Sequence, residues 1–244
     1  MAIKGILFDL YGTLIDIETD ESMDEIYRAI AHYLTYHGVY LHRDEVRKRY
    51  YQTMKQQREA SGAEYAEIDV EAIWNEFLLQ EGIRFSPARG QLAKVLAQVY
   101  RAISRNRLQL YPSVKEVLNT LRASYRLALV TDAQSCYAIP EIRAVGLDGY
   151  FDPVIISSRY GFRKPDPRLF RKALDNMGLE RSEVICVGND MFRDTYGAIM
   201  LGIKTIFLDS NQGAKTFENV APHYRINRFE DVLKGIAALE ADGA

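Results

Sequence analysis

The chain has 244 residues, 48% of them apolar, and its 31 basic side chains nearly balance 33 acidic ones for a formal charge of -2. That is enough for a sizeable core, leaves no electrostatic footprint for nucleic acid or an anionic membrane, and includes no run near the roughly 18 apolar residues of a membrane span. Cys136 and Cys186 stand too far apart for a short-spaced metal cluster or a disulfide framework, so an ordinary cytoplasmic protein is expected.

The first residues hold one lysine and a brief apolar stretch, which predicts a strand over Ile3–Phe8 and not a signal peptide. That strand runs into Asp9-Leu10-Tyr11-Gly12-Thr13. An aspartate at the carboxyl end of a buried strand, followed by a glycine turn, stands where open α/β sheets bind their ligands. Its carboxylate can attack phosphorus or carbon to form a covalent intermediate that water later splits. The plainer alternative is an aspartate that caps a turn.

Four helical stretches follow, Glu21–Tyr36, Asp44–Ala60, Val70–Gln80 and Pro87–Arg105, with no convincing strand between them. Gly38 and Gly62 stop the first two, Asp69 can cap the third, and Ser86-Pro87 starts the fourth. From Leu110 the pattern alternates between helix and strand, with strands expected at Leu127–Thr131, Val154–Ser157, Val184–Val187 and Thr205–Leu208. Such alternation means parallel strands with crossover helices, and the first strand must pair among the later ones. The expected fold is therefore α/β. Residues 1–17 and 106–244 form a Rossmann-like parallel-sheet core, and residues 18–105 form an inserted α-helical cap domain. Only the tail from Ala237 is expected to fray.

Each core strand ends in polar residues. Thr131 and Asp132 bring a hydroxyl and turn N–H groups to the edge that carries Asp9, although Thr-Asp is also a common turn before a helix. Arg163-Lys164-Pro165-Asp166-Pro167 opens a helix, and its prolines direct the positive charge of Lys164. Val184–Gly188 leads into Asn189-Asp190-Met191-Phe192-Arg193-Asp194, whose two acids four apart can share a helix face or merely cap its first turn.

In this order the pieces resemble the four motifs of the haloacid dehalogenase superfamily, and the match covers the whole core. The resemblance implies a haloacid-dehalogenase-like fold in which the helical insertion is the cap. It implies Asp9 as nucleophile, with Thr131 and Lys164 as catalytic partners, and the phosphate held by Gly12, Thr13, Thr131, Asp132 and Lys164. It also implies Asp9, the backbone carbonyl of Tyr11, Asp190 and Asp194 as ligands of a metal ion. Asn189 separates Gly188 from Asp190 where many relatives have Gly-Asp adjacent, which leaves open whether Asn189 or Asp190 faces the metal.

One departure stands at Tyr11. Most phosphatases of the superfamily carry a second aspartate there, which protonates the leaving oxygen and then activates water. A phenol with a pKa near 10 does not simply replace it. Asp-Leu-Tyr-Gly-Thr instead is similar to the 2-haloacid dehalogenases, which attack a halogen-bearing carbon without metal. Against that, Asp9, Asp190 and Asp194 would gather three carboxylates around one lysine, and Mg²⁺ resolves such crowding. The favoured expectation is a Mg²⁺-dependent phosphatase of a small phosphorylated metabolite, working through an aspartyl-phosphate. The alternatives are a metal-independent haloacid dehalogenase and a catalytically weak relative that binds phospho-ligands.

Other residues carry less. His32, His37, His42 and His223 lack metal-like spacing. Tyr27, Tyr33, Tyr36, Tyr40, Tyr50, Tyr51, Trp74 and Phe77 read as cap core, and Arg43, Arg47, Lys48 and Arg49 as a solvated face.

Overall fold

The computed structural model describes residues 2–84 and 86–241. Six strands, β1 (Gly5–Phe8), β4 (Arg126–Thr131), β5 (Val154–Ile156), β6 (Val184–Gly188), β7 (Lys204–Leu208) and β8 (Tyr224–Ile226), form one sheet in the order β5-β4-β1-β6-β7-β8. Every neighbouring pair is parallel. Helices α5 (Val114–Leu121), α6 (Ser135–Ala144), α7 (Pro167–Met177) and α8 (Gly197–Ile199) lie in the crossovers, and α9 (Val232–Ala241) follows the last strand.

The strand alternation sorts the core into two layers. Ile6 and Phe8 of β1 pack with α5 and α9, whereas Leu7 packs with Leu169, Phe170 and Ala173 of α7. The topology matters most at β1, where the chain leaves toward β4 on one side and β6 on the other. That reversal opens a crevice beyond the carboxyl ends of the strands. Phe8 pairs with Leu129 and Val187, so the residues that follow β1, β4 and β6 meet at that crevice.

Between β1 and β4 lie α1 (Asp24–Thr35), α2 (Arg43–Ser61), α3 (Val70–Gln80) and α4 (Ser86–Ser104), at nearly the expected positions. Asp69 caps α3 by accepting from Ala72 N, and Gly62 ends α2 in the left-handed conformation. These helices enclose their own apolar cluster around Tyr27, Tyr50, Trp74 and Tyr100, with Trp74 stacked on Tyr50 at 4.7 Å. Tyr36 and Tyr40, by contrast, are exposed.

Three expectations need correction. The helical insertion is not free of strands at its ends, because β2 (Ile15–Thr19) and β3 (Arg105–Leu110) pair antiparallel as a two-stranded stem. Helix α4 accordingly stops at Ser104, and Arg105 opens the returning strand. The alternation in Ile15-Asp16-Ile17 and Leu108-Gln109-Leu110 becomes decisive only once the two segments face each other, with Asp16 accepting from Gln109 at 3.2 Å and paired with Arg107 at 2.9 Å. The second correction is β8, an edge strand of Tyr-Arg-Ile in which only Ile226 is buried, so it lacks the apolar run of the other strands of its sheet. Third, Ala237–Ala241 belongs to α9, held by buried Ile236 and Leu239; the remainder of that expected tail, 242–244, lies outside the described residues.

The helical unit is stitched to the core beside the crevice. Ala66 bridges to Phe162, with Glu67 N donating to Gly161 O at 3.0 Å and Arg163 N to Tyr65 O at 2.9 Å. The Gln134 amide donates to Ile68 O and accepts from Val70 N. No helix among the described residues is long and apolar enough to cross a membrane.

Candidate active site

A cavity of about 260 Å³ fills the crevice, and Asp9, Tyr11, Arg101, Thr131, Asp132, Lys164, Asn189, Asp190 and Asp194 all line it. The sheet explains the convergence. Asp9 follows β1, Thr131 ends β4, and Asn189 follows β6, so three side chains from distant stretches arrive at one edge.

Lys164 is buried at the centre. Its ammonium donates to Asp9 Oδ1 at 2.6 Å, Asp194 Oδ1 at 2.5 Å and Val130 O at 3.1 Å. Burial alone would lower its pKa, but the carboxylates of Asp194, Asp9 and Asp132 outweigh that and hold the ammonium well above its ordinary range. Burial pushes the carboxyls of Asp9 and Asp194 up, and Lys164 pulls each of them back toward the charged form. The other oxygen of Asp194 accepts from the backbone N–H groups of Asn189 and Asp190, both at 3.0 Å. Gly188 permits that approach, since a Cβ there would collide with the Asp194 carboxylate.

The acidic motif divides its labour. Asp190 lines the cavity, yet its Oδ1 accepts from Phe192 N and Arg193 N and its Oδ2 from Ala214 N. It caps the helical turn Met191–Tyr196. Asn189 turns inward instead. Thr13 Oγ1 lies 2.9 Å from Asn189 Oδ1 and 3.2 Å from Asp9 Oδ2, so its one hydroxyl proton serves either. Gly12, at φ +87, lets the Asn189 amide lie against the turn, where a Cβ would clash. Asn189 is thus a residue that sequence reasoning left undecided; its position directly after Gly188 was the signal.

Tyr11 is committed elsewhere. Its hydroxyl donates to Glu141 of α6, a carboxylate also clamped by Arg101 of α4 at 2.8 and 3.2 Å and by Arg105 at 3.0 Å. Burial first, and then the Glu141 charge, raises the phenol well above its ordinary pKa, so Tyr11 stays protonated. Neither Glu141 nor Arg101 is marked by any spacing rule, because the cluster exists only where α4 meets α6. Two polar atoms of cavity-lining residues, Thr131 Oγ1 and Asp132 Oδ2, are buried without a partner among the described residues. Cys136 is buried against the helical unit and its thiol is pushed up to about 12 by burial, so it is not a reactive group.

An open parallel α/β sheet that gathers a carboxylate, a lysine and a hydroxyl at its switch point has the ligand-binding edge of the doubly wound α/β class. Residues 3–202 match the model of the haloacid dehalogenase-like hydrolases, and the chain belongs to that family. Among curated relatives it is 29% identical over 182 residues to a phosphoserine phosphatase of Thermus thermophilus, covering 72% of each chain. It is 36% identical over 97 residues to a glyceraldehyde 3-phosphate phosphatase of Pyrococcus abyssi, spanning only 41% of that protein. A 2-haloacid dehalogenase from Pseudomonas syringae superimposes with a TM-score of 0.69 at 20% identity, covering 97% of this chain and 99% of the other. A phosphatase of the family from Thermococcus onnurineus superimposes with a TM-score of 0.61 at 23% identity, covering 96% and 98%. Those two likenesses establish the fold.

Proposed function

We propose that the protein is a Mg²⁺-dependent phosphatase of small phosphate monoesters. The observation that carries this reading is the unpartnered, buried hydroxyl of Thr131, a residue that lines the same cavity as Asp9 and Lys164. A buried polar atom without a partner is costly, and a phosphoryl oxygen would satisfy it. The named phosphatase relatives support the same choice.

Asp9 attacks phosphorus through one carboxylate oxygen, a new O–P bond forms, and the bond to the leaving oxygen breaks, which leaves an aspartyl-phosphate. Lys164 and Thr131 hold the equatorial oxygens with the N–H groups of the Gly12-Thr13 turn, and charge on those oxygens is stabilised by donors already in place. Thr13 orients Asp9. Water then attacks phosphorus and the Asp9–phosphate bond breaks, which regenerates the carboxylate and releases inorganic phosphate.

The oxygen donors beside Lys164 suit a hard dication that takes one or two carboxylates and keeps several waters. Asp9, Asp194, the Tyr11 carbonyl and the Asn189 amide oxygen would hold Mg²⁺, and Asp190, already engaged by backbone N–H groups, would fix the loop that carries Asn189. No group of three His, Cys, Asp or Glu side chains is assembled for a metal among the described residues, which is consistent with an ion held in part by carbonyl, amide and water oxygens. When bound, the ion would neutralise phosphoryl charge between Asp9 and Asp194.

Aryl phosphate hydrolysis in Mg²⁺ tests the reading. Activity should vanish with chelator, return with Mg²⁺, disappear in Asp9→Asn, and fall about 10²-fold in Thr131→Val, the scale for losing one preorganised donor. Chloride release from a 2-chloroacid, indifferent to chelator and unaccompanied by phosphate release, would replace this reading with the dehalogenase one.

A further inference from the structure

We infer that Asp132 is the general acid and base of the reaction, taking over the task that Tyr11 leaves unfilled. The inference rests on the phosphatase reading and adds a catalytic residue to it.

Phosphate ester cleavage needs a proton on an alkoxide leaving group and later a proton acceptor for water. Tyr11 supplies neither. Its hydroxyl proton is donated to Glu141, away from the reacting atoms, and that carboxylate is saturated by two arginines. Among the acids on the cavity wall, Asp9 is the nucleophile, and Asp194 is bound on one oxygen by Lys164 and on the other by two backbone N–H groups. Asp190 accepts three backbone N–H groups. Asp132 differs from all of these. Its Oδ1 accepts from Lys164 N at 2.9 Å, which fixes the side chain of this cavity-lining residue, while its Oδ2 is buried and unpartnered among the described residues. It sits one residue after Thr131 and opposite the turn that carries Tyr11.

The surroundings suit a proton carrier. Lys164, Arg193, Asp194, Asp9 and Glu67 are the charged groups that face Asp132. Burial is the largest influence and raises its carboxyl, with Lys164 opposing. Asp132 also lines a second cavity of about 230 Å³ with Glu67, Arg101 and Arg163, which places it between the phosphate site and the space left for the leaving group.

The balance closes over one turnover. As Asp9 bonds to phosphorus, the electron pair of the breaking P–O bond stays on the leaving oxygen, which takes the proton from Asp132 Oδ2. The resulting Asp132 carboxylate then takes a proton from water while the hydroxide oxygen bonds to phosphorus and the Asp9 O–P bond breaks, its electron pair returning to the Asp9 carboxylate. The acid is thereby restored, and the alcohol and inorganic phosphate are released.

Asp132→Asn tests this, because its amide oxygen can still accept from Lys164 N while the exchangeable carboxyl proton is gone. In Mg²⁺, alkyl phosphate turnover should fall about 10² to 10⁴-fold. With p-nitrophenyl phosphate, whose leaving group needs no proton, the variant should release one equivalent of nitrophenolate per site in a burst and then turn over slowly. Vanadate affinity should stay within about threefold, which reports an intact site. In Asp132→Ala, added formate should restore part of the lost rate, an effect that a merely structural role would not give. Equal loss on both leaving groups without a burst, or alkyl turnover within about threefold of the parent, overturns the inference while the phosphatase reading stands. A parent protein inactive on every phosphate ester overturns both.

Discussion

The hydroxyl of Tyr11, two residues beyond the nucleophile, donates to the carboxylate of Glu141, whose side chain is only 2% exposed. Through Glu141 the phenol joins Arg101 and Arg105, so the loop after β1 is tied to the inner end of α4 and to the stem. A position that carries a catalytic acid in many relatives has here become part of the joint between the two units.

That joint should govern acid stability. Burial by itself would raise the Glu141 carboxyl, but Arg101, Tyr11 and Arg105 outweigh it and hold it below the usual glutamate range. A group with a depressed folded pKa stabilises fully above its unfolded value, near 4.3, and that contribution is lost as pH falls through the folded one. Glu141→Gln should therefore lower stability at pH 7 by about 3 to 5 kcal/mol, the cost of stranding buried partners, and flatten the decline in acid. Thermal unfolding across pH measures both; parallel parent and variant curves would refute it.

Tyr11→Phe separates joint from chemistry. The variant should lose about 1 kcal/mol from the missing hydrogen bond, yet keep turnover within about tenfold with an unchanged pH profile. Rates on alkyl phosphates decide the matter. A loss beyond about 100-fold with a shifted limb would return the phenol to the proton transfers.

Metal binding is readable without activity. Mg²⁺ should raise the melting temperature of the parent in a concentration-dependent way, through a stabilisation of about 2.7 kcal/mol at a hundredfold excess over Kd. Asp194→Asn and Asn189→Ala should diminish that rise. Asp190→Ala should lower the starting stability by about 0.5 to 2 kcal/mol through the lost cap and preserve the rise. The opposite pattern would make Asp190 the ligand and Asn189 the bystander.

Sequence by itself determined the class of fold and the residues that end its strands. Periodicity located α2 to α4, β4 and β6 within a residue or so and α1 within three, because burying one face of an element imposes a repeat. Asp9, Thr131 and Lys164 were legible since each follows a strand or opens a helix at the binding edge of a parallel sheet. The tertiary structure decided what those side chains do. The β2–β3 stem depends on pairing across some ninety residues, and the Tyr-Arg-Ile of β8 is a short edge strand with only Ile226 buried, so neither stands out as an apolar run. Whether Asn189 or Asp190 turns inward is set by which backbone N–H groups demand a cap. The fate of Tyr11 is set by Glu141 and Arg101, which reach it only after α4 and α6 pack together. Local repeats record which face of an element is buried; hydrogen-bond partners drawn from distant segments are chosen only when those segments meet.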